Sequence, residues 1–416
     1  MLLCHYICYN QNNTMMKRII PFLCVFMYFM SPYRLAGHEL PEVVGILATI
    51  LAIFGGFRLH LEKSYVLFLA YMWIVPPIAG FVCGIPGNYL QALIPVALIL
   101  STLYLGLLLP NANKNYVLKY YRYLVYIAVA FFIVQEISYN TTGIRPTLYI
   151  PFLEMYYQGS DEMSFALSRA EMDRSSSFFL EPSHFVQYII PYFCIVLSNY
   201  IKEKKGLKEV LLMLFVIIWL KAGIGFVSLL VIFCFFFLKS GILKMYQRIL
   251  VMFATIIIIG YITTVYKDSE LISYIMDRSS EFSMEVDPYG SQSGFIRIWR
   301  GYFIYGAMDI INQILGVSAA GMEAVSKAVY IPGCRYDGSY MNGIQALLVS
   351  GGVVGLILFF NYIIHIYKQK DNTGQCILIV MIAIFFMEHM LNTPKMFLYI
   401  LLASCFNIPS LQKTKK

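Results

Sequence analysis

The chain has 416 residues, 59% of them hydrophobic and 13% charged, and carries a formal net charge of +8. A soluble domain holds about 45–50% apolar and about 25% charged residues, so a soluble globular protein is excluded. Twelve helices of about 20 residues would consume roughly 240 positions, the proportions of an all-α, polytopic integral membrane protein. The basic excess does not point to nucleic acid, because the bases lie between the apolar runs, where they orient a membrane protein against an anionic leaflet.

Nine cysteines, an odd number with most inside apolar runs, argue against a disulfide framework. Cys4, His5 and Cys8 lack the further ligands of a zinc site, so neither metal nor cofactor is expected. Residues 1–15 carry no signal-peptide pattern, and Met16-Lys17-Arg18 ahead of the first apolar run reads as a start, with that run as an uncleaved anchor.

Apolar runs bounded by charges or turn residues fall at 19–36, 42–58, 65–84, 89–109, 117–138, 182–200, 207–220, 223–238, 249–266, 341–367, 375–390 and 395–409. They predict twelve spans within a single membrane domain covering 1–416. The stretch from Leu207 to Leu238 is interrupted only by Lys221-Ala222-Gly223, read here as a tight outer turn between two short helices. With the N-terminus inside, 19 bases fall on the cytoplasmic side, and only Arg34, Lys221 and Lys395 lie in short outer loops, as the positive-inside rule requires. Both termini are then cytoplasmic. Two long outer segments remain, 139–181 and 267–340, and the chemistry is expected there.

The first outer segment ends in Arg174-Ser-Ser-Ser-Phe-Phe-Leu-Glu181-Pro182-Ser183-His184 and runs into the sixth span. Proline is tolerated in a first helical turn, where its missing N–H costs nothing, so Glu181 falls at the N-cap. Glu181 and His184, three apart, then face the same way. Beside Arg174 and the serines they read either as a tuned polar cluster or as a helix cap with a solvated rim. In the second segment, Arg297-Ile-Trp299-Arg300 with Tyr302 and Phe303 predicts an amphipathic helix in the outer interface, its two arginines on one face. Two guanidinium forks three residues apart suit a pyrophosphate or, more simply, lipid phosphates. Arg335, Asp337 and Tyr340 bring further polar groups to the start of the tenth span. Glu136, Glu388 and His389 sit at expected outer helix ends and read as rim residues. Lys221 reads as a snorkelling base.

The stretch Arg174-Ser-Ser-Ser-Phe-Phe-Leu-Glu181-Pro182-Ser183-His184, followed by a larger arginine-bearing outer segment, resembles the bacterial O-antigen polymerases of the Wzy type. The paired Arg-x10-Gly pattern of some members is absent: Phe185, Met308 and Ile311 stand eleven residues after Arg174, Arg297 and Arg300. The resemblance implies a metal-independent, inverting glycosyltransferase of the C-type superfamily in the inner membrane. Such an enzyme joins undecaprenyl-pyrophosphate-linked oligosaccharide units on the periplasmic side, with a chain-length regulator protein as a partner. On that view Arg174, Arg297 and Arg300, with Arg335, Asp337 and Tyr340, engage the pyrophosphate and glycan, while Glu181 or His184 takes the acceptor proton. A helix N-terminus stabilises a carboxylate, which favours His184, but the same dipole disfavours an imidazolium. Both stay open as the base. The O-antigen ligases share this architecture and donor. A lipid-linked oligosaccharide flippase would instead need charges lining a central cavity and only short outer loops.

Overall fold

The computed structural model describes residues 16, 18–35, 38–54, 62–146, 153–155, 174–239, 284, 293–336, 338–391 and 393–408. The span expected at 249–266, Asp337, the Cys4–Cys8 stretch and most of the two long outer segments lie outside the described residues. The described part is mostly helical. Helix α1 (Arg18–Phe29) leads into a small antiparallel sheet in the order β2-β1-β3, built from β1 (Tyr33–Leu35), β2 (His38–Glu39) and β3 (Glu154–Met155). There follow α2 (Leu40–Phe54), α3 (Lys63–Val82), α4 (Tyr89–Thr142), α5 (Pro182–Glu203), α6 (Leu207–Trp219) and α7 (Gly223–Lys239). The second half contributes α8 (Ser293–Phe295), a π-helical turn (Ile296–Arg300), α9 (Gly301–Gly306), α10 (Ile310–Leu315) and α11 (Ser318–Ala328). Helices α12 (Gly343–Gln369), α13 (Asn372–Phe385) and α14 (Pro394–Ser404) complete it.

Four helical segments among the described residues are long and apolar enough to cross a membrane: Lys63–Val82, Lys114–Thr142, Pro182–Glu203 and Gly343–Gln369. Five shorter apolar helices accompany them. The described residues therefore do not establish the twelve separate spans expected from the sequence. The clearest departure is α4, which runs unbroken for 54 residues where two spans joined near residues 110–116 are expected. At 1.5 Å per residue it measures about 80 Å. The turn expected at Lys221 is present: Leu220 to Ala222 separates α6 from α7, and Lys221 takes the left-handed conformation.

Helix α5 is the organising element, with most of its residues buried. It packs against α4, α6, α7, α13 and α14. Around its first turns Tyr28, Phe29, Phe178, Phe179, Phe185 and Tyr188 form one aromatic cluster. Aromatic pairs contribute beyond their buried area, so the end of α5 that bears Glu181 is firmly anchored in the bundle. The outer faces are apolar instead: Leu67, Ile74, Ile78 and Phe81 on α3 are all exposed, the pattern of helices facing a non-aqueous solvent.

Helix α12 is interrupted at Gly352, whose φ of 65° and ψ of −171° belong to a region open essentially to glycine alone. The link from α10 to α11 fills the interruption. The Val317 amide donates to the Val349 carbonyl at 3.0 Å, and the Tyr71 hydroxyl donates to the carbonyls of Leu315 and Gly351 at 2.9 and 3.0 Å. A side chain at Gly352 would run into the Ile314 carbonyl. Gly352→Ala should therefore lower stability by about 3 kcal/mol through backbone strain. In detergent melting curves it should lose far more than Gly355→Ala, where a methyl meets only side chains at 3.3 Å or beyond.

Candidate functional site

The serine run has a structural job. The Ser177 amide donates to Gln135 Oε1 at 2.8 Å and its hydroxyl to the Ala128 carbonyl at 2.7 Å, while the Ser176 hydroxyl donates to the Phe179 carbonyl at 2.7 Å. The Ser175 hydroxyl donates to Glu136 and accepts from Arg145 Nε. These bonds clasp the segment before α5 onto α4 and fix where the helix begins. Glu136, expected at the rim, is half-buried and also accepts from Trp219 Nε1 at 2.8 Å. Arg174 belongs to this side of the bundle, donating through Nη1 to the Lys221 carbonyl at 3.0 Å.

Glu181 occupies the N-cap position of α5, with Pro182 in the first turn as expected, but its carboxylate accepts no hydrogen bond from a helix amide. Its Oε2 accepts from the Ser183 hydroxyl at 3.0 Å. The carbonyl of His184 accepts from the Tyr28 hydroxyl at 2.9 Å, which ties the first turn to α1. Arg297 comes from the second outer segment and reaches this turn: Nη2 lies 3.8 Å from Glu181 Oε2, and Nη1 lies 3.7 Å from Glu388 Oε2. One guanidinium thus bridges the start of α5 to the link between α13 and α14.

Glu388 is the hub, and here the reading of it as a rim residue is corrected. It is only 5% exposed. Tyr340 donates its hydroxyl to Oε1 at 2.9 Å, and Lys395 Nζ stands 3.9 Å from the same oxygen. Burial pushes the carboxyl up, but Lys395, His184, Arg297 and the Tyr340 hydrogen bond outweigh it and hold Glu388 below the usual carboxylate range. Tyr340 is raised in turn by burial and by the carboxylate it faces, and so stays a phenol donor. The His389 ring donates to the Met341 carbonyl; burial and Lys395 lower its pKa, leaving a neutral imidazole at neutral pH. The electrostatic neighbours of His184 are Lys395, Glu388, Glu181 and Arg297, so it belongs to the same group.

The local backbone explains the placement. Asn342 and Gln345 form a capping box at the start of α12, each side chain answering an orphan amide. The Nδ2 of Asn342 also donates to the carbonyls of Arg297 and Phe386, both at 2.8 Å, and Gln345 Nε2 donates to the Ile298 carbonyl at 2.6 Å. These side chains pin the π-helical turn against the segment that carries Glu388.

Of the residues singled out from the sequence, the structure brings together Glu181, His184, Arg297 and Tyr340. It joins to them Glu388 and His389, expected at the rim, and Lys395, expected only as an outer-loop base. The expectation that Arg297 and Arg300 share a face is corrected: the wide π turn separates them, and Arg300 is 1% exposed, stacked 4.9 Å over the Tyr336 ring with Nη2 directed at the Ser326 carbonyl. Arg335 is exposed. Comparisons of the chain with protein-family models, with curated proteins and with solved structures give no match.

Proposed function

We propose that the protein is a multi-pass inner-membrane glycosyltransferase of bacteria, with cytoplasmic termini, that polymerises undecaprenyl-pyrophosphate-linked oligosaccharide units into O-antigen or a related surface polysaccharide. The observation that carries this reading is the meeting of the two long outer segments at one point. Arg297 from the second lies against Glu181 at the end of the first, beside Lys395, Tyr340 and two histidines. Metal-free transfer from a lipid pyrophosphate needs fixed cations for the leaving group and a base for the acceptor hydroxyl.

The cluster supplies both. Arg297 and Lys395 are the cations, and the Glu388 carboxylate between them lies within 4 Å of each. An arriving pyrophosphate competes with Glu181 for the Arg297 fork, since bidentate phosphate pairing is stronger than a single ion pair at 3.8 Å. Glu181, with its side chain 46% exposed, is then released to accept the proton. The acceptor oxygen forms its bond to the anomeric carbon, the bond from that carbon to the phosphate oxygen breaks, and undecaprenyl pyrophosphate leaves with the electron pair. A chain-length regulator protein is the partner such an enzyme would have.

The test is deletion of the gene in its host, with surface glycolipids and lipid-linked sugars resolved in parallel. A core band carrying one repeat unit, restored to a ladder by the wild type but not by Glu181→Gln, is the expected result. Bare core with long polymer stranded on the carrier would show a ligase instead. Bare core with single units held on the cytoplasmic side would show a flippase.

A further inference from the structure

A cavity of about 640 Å³ lies between α4, α5 and α6, at the far end of α5 from Glu181. Its position, lining and charge are independent of the cluster described above. Pockets for small ligands run from about 300 to 1,000 Å³, so the space suits a headgroup with the upper part of its chains. Lys119 and Arg122 give it two cations against a single carboxylate, Glu209, which pairs with Arg122 at 2.7 Å. The Tyr192 hydroxyl lies 3.3 Å from the other oxygen of Glu209 and 3.5 Å from the Tyr126 hydroxyl. The Tyr192 hydroxyl and the Arg122 guanidinium thus converge on the Glu209 carboxylate, which an entering phosphate would displace from the guanidinium. The back wall, by contrast, is aliphatic, formed by Ile195 and Val196.

The surroundings identify the kind of ligand. Tyr123, Ile127, Leu211 and Phe215, on the two helices that flank the cavity, are each at least 50% exposed. Flanking helices with exposed apolar residues face acyl chains rather than water. The turn from α5 to α6 adds Lys202, Lys204, Lys205 and Lys208 at the same end, all exposed. Basic pockets between membrane helices, with basic turns beside them, suit anionic lipid headgroups. A water-borne sugar phosphate or nucleotide would have no use for the apolar frame.

We propose that this cavity is a binding site for an anionic phospholipid of the leaflet on the Lys119 side, its phosphate held by Arg122 and Lys119 and its chains lying against Ile195 and Val196. The proposal rests on the membrane reading and not on glycosyl transfer, so a lipid measurement tests it whatever the enzyme does. The experiment is native mass spectrometry of the full-length protein released from nanodiscs of equal phosphatidylglycerol and phosphatidylcholine. Retention of phosphatidylglycerol over phosphatidylcholine is expected, falling about fivefold for each charge removed in Lys119→Gln and Arg122→Gln. Equal retention of the two lipids by the wild type overturns the proposal, as does a preference untouched in variants that elute as folded protein. Loss of the preference on adding millimolar inorganic phosphate overturns the lipid assignment in favour of a free phosphate site. The wild-type lipid comparison stands even if a variant fails to fold.

Discussion

Glu388→Ala should abolish the polysaccharide ladder and lower the yield of folded protein, the largest single effect expected in this chain. The carboxylate is 5% exposed and stands between Arg297 and Lys395, both within 4 Å. Removing one partner of a buried ion pair costs about 3–5 kcal/mol, because the partner left behind keeps its desolvation penalty. The lower end, about 3 kcal/mol, is expected here, since the Arg297 side chain keeps 34% of its surface in solvent. Glu388→Gln separates folding from chemistry. The amide still accepts from Tyr340 and fills the same volume, but it no longer attracts the two cations. It leaves the same cations uncompensated but spares the cavity and the lost hydrogen bond of alanine, so it should be less destabilising than Glu388→Ala and, per folded molecule, polymerise about 100-fold more slowly, as expected when preorganised charge is disturbed. Ladder length and melting temperature measured on the same membranes decide the matter. Wild-type ladders from Glu388→Gln at equal abundance would remove the cluster from the reaction.

The second large effect is a contrast between two arginines that look equivalent in sequence. Arg297→Ala should fold and lose about 10²–10³ in transfer rate, the range for one preorganised charge directed at a leaving group. Arg297→Lys should recover only part of that, because an ammonium cannot reproduce the fork that faces Glu181 and Glu388 at once. Arg300→Ala should do the opposite. Its side chain is buried over the Tyr336 ring and against the Ser326 carbonyl, so truncation leaves a cavity and a lost cation–π contact, costing about 3 kcal/mol. Its ladder, measured per folded molecule, should stay within a few-fold of wild type. The readouts are detergent-soluble yield beside ladder length. Loss of activity without loss of stability in Arg300→Ala would put both arginines on the substrate.

Where hydropathy changes abruptly, the chain was legible. The boundaries of α5, α6 and α7 follow Pro182, the Lys202–Lys205 run and Lys221 closely, and Glu181 takes the N-cap position ahead of Pro182. The continuity of α4 was not legible, since Pro110-Asn111-Ala112-Asn113-Lys114 has the composition of a turn although the helix continues through it. The site was half legible for a geometric reason. Sequence gives the height of a residue along a helix but not the direction it faces at the helix end, so Glu388 and His389 read as rim residues when they point inward. The spacing of Arg297 and Arg300 misled because about 60° separates residues three apart in an α-helix, and the chain is π-helical there. The nearest clue was Asn342-Gly343-Ile344-Gln345, a capping pattern whose side chains also hold the π turn. A second was Glu388 and Lys395, charges of opposite sign at facing ends of two consecutive apolar runs.

The filled interruption in α12 changes how the segment bearing Arg297 is to be pictured. Val349 lies six residues into that helix from Gly343, so the α10–α11 link reaches roughly 9 Å below the helix end before it bonds there. A flap resting on the rim swings aside at little cost, whereas a wedge seated in a broken helix must first strand the Val349 carbonyl it satisfies. The segment is a keystone rather than a door. On the proposed reading, substrates reach Glu181 by sliding in sideways past fixed walls, and a growing glycan threads out past the same walls after every addition.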